Sequence, residues 1–74
     1  MPYDYNKLIG RIIEKFSTRK AFAIEMGMSE HTLSEKLNGK ISWKQSEISL
    51  ACKLLDIADY EIPSYFFTMK VQSN

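Results

Sequence analysis

His31 and Cys52 are the side chains of this chain best suited to proton transfer, nucleophilic attack or metal ligation, and each type occurs once. A zinc centre needs a close-spaced set of thiolates, imidazoles or carboxylates, which one histidine and one distant cysteine cannot supply. Cys52 shares a helical apolar stripe with Ile48, Ala51 and Leu55 and has no histidine nearby, so it reads as a packing residue and not a nucleophile. Ser29 and Ser42 stand just ahead of helical stretches, where a hydroxyl caps free backbone N–H groups. There is no paired acid and base and no glycine-rich phosphate loop. What remains is non-covalent chemistry, that of a binding protein and not an enzyme, with no metal, cofactor or small-molecule substrate expected.

The charged residues that could serve such binding are unevenly spread. Residues 18–44 carry Arg19, Lys20, Lys36, Lys40 and Lys44 against Glu25, Glu30 and Glu35, a segment charge of +2, whereas residues 45–74 sum to −2. The total of +1 is well short of the strongly basic balance of a protein that grips nucleic acid through many phosphates. A chain of 74 residues is one small domain that buries only ~60% of its unfolded surface. A content of 45% hydrophobic and 26% charged residues excludes a disordered tail. No apolar run approaches the ~20 residues of a membrane span, and the opening residues lack the pattern of a signal peptide, so a cytoplasmic protein is expected.

Helix starts and stops set the positions of these groups. Asp4 is placed to cap a first helix over about residues 5–16, with Tyr3 and Leu8 as a hydrophobic staple and Leu8, Ile9, Ile12, Ile13 and Phe16 as its buried stripe. Thr18 caps a second helix, Arg19 to Met26, with Phe22, Ala23 and Met26 inward, and Gly27 ends it. Ser29 caps a third, Glu30 to Leu37, which buries Leu33 and Leu37 and stops at Asn38-Gly39. Ser42 and Gln45 read as the capping box of a fourth helix through Leu55, and a last short helix is expected around residues 60–66. Phe67, Met69 and Val71 alternate as in an extended tail. The expected architecture is all-α, a single compact domain of about five short helices spanning residues 1–74.

Two short helices joined by Gly27-Met28-Ser29 meet at a steep angle that frees the second to enter a DNA major groove. The stretch from Thr18 to Lys40 resembles the helix-turn-helix of phage repressors and Cro proteins. Ala23 stands where that family needs a small residue, Gly27 at the turn, Leu33 at the apolar anchor and Asn38-Gly39 after the recognition helix. The chain as a whole is similar to small Cro-like and modulator-of-repression (antirepressor) proteins of temperate phages of Gram-positive bacteria. That resemblance implies a lambda repressor-like fold, with the helix-turn-helix at about residues 18–39, and a role in the lysis/lysogeny switch inside the bacterial host. It also assigns sites. Arg19 at the start of the second helix would contact a phosphate, Glu30, His31, Ser34 and Glu35 would face base edges, and Lys20, Lys36, Lys40 and Lys44 would lie near phosphates.

Glu30 and Glu35 depart from the family pattern, which commonly has neutral hydrogen-bonding residues there. A glutamate can accept from a cytosine amino group, but next to phosphates its charge opposes binding; Glu30 in the first turn also suits the helix dipole. Aromatic residues crowd the end of the chain. Tyr65, Phe66, Phe67, Met69 and Val71, in a tail of about residues 64–74, are expected to meet a second subunit or a partner. Two regulatory readings follow: a Cro-like dimer on operator DNA, or an antirepressor that acts mainly by pairing with the phage repressor protein.

Overall fold

Amphipathic segments joined by short turns can hide their apolar sides only against one another, and the computed structural model, which describes residues 3–71, shows how they do so. The helices are α1 (Asn6–Phe16), α2 (Arg19–Met26), α3 (Glu30–Leu37), α4 (Gln45–Leu55) and α5 (Ile62–Phe66), with a 3-10 turn at Asp59–Glu61 leading into α5. Helix α1 packs on α2, α4 and α5, and α2 packs on α3 and α4. Phe22, Phe66, Leu8, Ile12, Leu33 and Leu55 are the large side chains sealed in the centre. Ala51 and Cys52 pack with them, and burial together with the nearby Asp59 carboxylate pushes the Cys52 thiol up from its ordinary pKa.

The central pair of helices follows the capping signals. Thr18 Oγ1 accepts from the Ala21 N–H at 3.1 Å, and Ser29 Oγ accepts from the Thr32 N–H at 3.0 Å. Gly27 takes the left-handed conformation (φ 74°, ψ 29°), which returns the N–H of Met28 to the Ala23 carbonyl at 3.0 Å. Ala23, buried to 2% exposure, lets α3 come close to α2.

At the other helix starts the expectations need correcting. Asp4 stands one residue ahead of the cap position of α1, which Tyr5 holds, and its Oδ1 accepts from the Asn6 N–H at 2.8 Å, one of the N–H groups the helix start leaves free. Helix α4 begins at Gln45, later than Ser42. The Lys44 N–H donates to Glu47 Oε1 at 2.8 Å, so Glu47 does the work expected of Gln45. The apolar stripe of α1 is also narrower than expected, since Leu8 and Ile12 are sealed but Ile13 is 45% exposed.

Two helix ends rely on unusual backbone. Helix α4 ends at Asp56 in the left-handed region (φ 56°), and Arg11 of α1 reaches across to donate to the Leu55 carbonyl at 2.8 Å and the Asp56 carbonyl at 3.2 Å. Those are carbonyls the helix leaves free. Ser17 ends α1 at φ 72° and ψ −38°, a conformation that side chains other than glycine's adopt only under strain. Ser17→Gly is therefore expected to raise stability by about 0.5–1 kcal/mol, read as a higher thermal midpoint. An unchanged or lower midpoint would show that no strain is held there.

The end of the chain divides in two. Tyr65 and Phe66, expected at an interface, belong to the core at 8% and 1% exposure, because α5 folds back on α1 and brings Phe66 edge-on to Trp43 at 5.2 Å. Beyond α5 the chain runs extended. The Asp4 N–H donates to the Thr68 carbonyl at 2.8 Å, and Tyr3 and Met69 form an isolated antiparallel bridge. Phe67, Met69 and Val71 are exposed.

Candidate recognition surface

Leu33 and Leu37 anchor α3 to the core, so the opposite side of that helix looks outward. Glu30 and His31 are exposed there, and Ser34 and Glu35 are half-buried beside them. On the adjoining helix Ile24 is 66% exposed and Glu25 is exposed. Of the flanking cations, Lys20, Lys40 and Lys44 are exposed and Arg19 is half-buried; the Lys40 ammonium lies 3.9 Å from a Glu35 carboxylate oxygen.

Lys36 does not join them. It is 3% exposed, and its ammonium lies 2.9 Å from Glu47 Oε1 and donates to the Ser42 carbonyl at 2.9 Å. Its expected place near a phosphate is corrected on geometry: Leu33, Lys36 and Leu37 follow an i, i+3, i+4 spacing and share the inward side of α3. The aliphatic stem crosses apolar surroundings and the charge is met at the far end by Glu47. Burial alone would raise the Glu47 pKa. The Lys44 N–H and the Lys36 ammonium outweigh it and hold the carboxyl below its ordinary value. With Lys36 withdrawn, Glu30 and Glu35 on the outer side of α3 have no lysine or arginine of their own helix beside them.

A second feature went unseen in the sequence. Tyr3, Tyr5, Ile41, Trp43, Phe66 and Phe67 line a half-open cavity of about 290 Å³ between the loop after α3 and the two ends of the chain. Ile41 and Trp43 follow the Asn38-Gly39 turn, and no local periodicity marks them as partners of Tyr3 and Tyr5, 36 to 40 positions earlier in the chain. Their one visible signal was the presence of two large apolar residues in a segment otherwise made of loop-forming types.

Among the described residues no group of three or more His, Cys, Asp and Glu could hold a metal ion, and no helix is long and apolar enough to cross a membrane. Comparison with known proteins matches residues 1–69 to the family described as a protein of unknown function, DUF739. The chain belongs to that family. It is also similar to the modulator of repression of the temperate bacteriophage TP901-1 from Lactococcus lactis. The solution structure of that protein is 50% identical over 97% of each chain and superposes with a TM-score of 0.80. No curated protein matches. The all-α fold and the kinship to phage modulators of repression expected of the sequence are thus both met, and the chain is a homologue of a regulatory protein and not of an enzyme.

Proposed function

We propose that this DUF739 protein is a regulator of a temperate phage's lysis/lysogeny switch that works by pairing with the phage repressor protein, within the bacterial host's cytoplasm. The observation that carries this reading is the charge on the outer side of α3. Glu30 and Glu35 stand where a reader of DNA would face base edges, within the field of the flanking phosphates, and Lys36, the one lysine of that helix, is committed to Glu47. Such a surface is repelled by a duplex and attracted by a positively charged protein face. Exposed Ile24 beside it adds the apolar contact that protein interfaces use. The similarity to a modulator of repression supports the same direction.

A Cro-like reading keeps one observation in its favour. Lys20, Lys40 and Lys44 are exposed, with Arg19 half-buried near them, and could reach phosphates on operator DNA, either as a homodimer or alongside the repressor. His31 and Ser34 would then be the base readers.

Titration of the protein onto the operator region, alone and with the repressor, separates the two. Alone, the protein is expected to give no operator-specific complex, and with the repressor it is expected to form a stable complex that weakens with salt. Reversing charge in Glu30→Lys or Glu35→Lys should weaken the repressor complex by about tenfold or more. Tight operator-specific binding by the protein alone, weakened by Lys40→Ala at every DNA sequence, would defeat the proposal in favour of the Cro-like reading.

A further inference from the structure

We infer that Lys40 is a built-in competitor for the recognition surface: it holds the Glu35 carboxylate in an internal ion pair that a cation of the repressor must open, and so sets the affinity of that complex. The inference rests on the function proposed above and deepens it.

The turn after α3 makes this pairing a consequence of backbone geometry. Asn38 closes the helix, and Gly39 follows in the left-handed region (φ 78°). The Gly39 N–H then donates to the Lys36 carbonyl at 3.2 Å and the Lys40 N–H to the Glu35 carbonyl at 2.9 Å, the two crossed bonds of a Schellman motif. The Ile41 N–H donates to the same Glu35 carbonyl at 3.3 Å. In that motif the residue after the glycine lies over the helical residue whose carbonyl it meets, and the two side chains frequently make an apolar contact. Here the two are Lys40 and Glu35. An acid–base pair occupies the place of the apolar clasp, and the ammonium is brought to the carboxylate by bonds that neither side chain makes.

The pair is loose and reachable. Its nitrogen and oxygen are 3.9 Å apart, beyond hydrogen-bond length, and the Lys40 side chain is 69% exposed against 26% for Glu35. An exposed pair of this kind holds weakly and can be exchanged for a better one. The contrast within the molecule is the pair of Lys36 and Glu47, closed at 2.9 Å with the lysine side chain sealed. Glu30, at the other end of α3, has no ion pair among the described residues. The two acids of the surface therefore differ. Glu30 is open to a partner at once, whereas Glu35 is released only when the Lys40 ammonium swings away into solvent. Until it does, Lys40 also repels an approaching cation.

Lys40→Gln keeps the backbone bonds of the turn and removes the competitor. Titrated calorimetrically with the phage repressor protein, and checked for native circular dichroism, it is expected to bind about two- to fivefold more tightly than the parent protein. Glu35→Gln completes a double-mutant cycle. In that background the gain from Lys40→Gln should fall to that of Lys44→Gln, which removes a like charge from the same loop but, among the described residues, from no ion pair. Unchanged or weaker repressor binding by Lys40→Gln would overturn the inference and leave the proposed function standing. So would an equal gain from Lys44→Gln in the parent background, or a gain that persists in full without Glu35. Failure of the parent protein to bind the repressor at all would overturn the proposed function and the inference with it; operator binding that Lys40→Gln weakens would then mark Lys40 as a phosphate contact.

Discussion

Phe66→Ala is expected to cost about 3–5 kcal/mol, the range for emptying an aromatic site in a core, whereas Phe67→Ala should change stability by no more than about 1 kcal/mol. The two rings are neighbours in the chain and differ in burial, 1% against 48% exposed. Removing Phe66 strips the edge contact to Trp43 at 5.2 Å and opens a void beside the sealed centre. A domain this small holds little stability in reserve, so Phe66→Ala should be largely unfolded near room temperature or melt far below the parent protein. Denaturant titration followed by far-ultraviolet circular dichroism checks both variants. Similar losses in the two would contradict the division of the chain end into a core half and a surface half.

The second large effect is expected at the buried ion pair. Glu47→Ala leaves the Lys36 ammonium with the Ser42 carbonyl as its one remaining partner and removes the bond that starts α4, so a loss of about 2–4 kcal/mol is expected. Lys36→Met, which keeps the stem and discards the charge, should change stability by only about 1 kcal/mol in either direction, because the desolvation of the ammonium is relieved along with its attraction. A large loss in Lys36→Met and a small one in Glu47→Ala would reverse this assignment. The pair also has a pH signature. Glu47 is held below its ordinary pKa of 4.5 in the folded protein, so its contribution is complete above that value and is lost as pH falls through the lower folded-state value. Glu47→Gln should flatten the acid limb of the stability profile; an unchanged limb would place the titration elsewhere.

Local signals carried most of the fold. The expected limits of α2 and α3 coincide with those observed, since Thr18, Gly27 and Ser29 each act through bonds to residues a few positions away. The misses are tertiary. The spacing of Leu33, Lys36 and Leu37 already placed Lys36 inward, but its acceptability there depended on Glu47, eleven positions later in another helix. Asp4 serves the start of α1 from one position further out than expected, and Phe66 and Tyr65 were drawn inward by a fold-back that periodicity cannot show. Of the candidate site, the outward-facing identity of Glu30 and His31 was legible from the anchoring of Leu33. The aromatic cavity was not, because it is assembled from three separated parts of the chain.

The bridge between Tyr3 and Met69 brings the segments before α1 and after α5 to one margin of the molecule, where Tyr3 and Phe67 both help wall the aromatic recess. Whatever loosens one of these segments therefore also unseats the other, so the two sides of the recess open together.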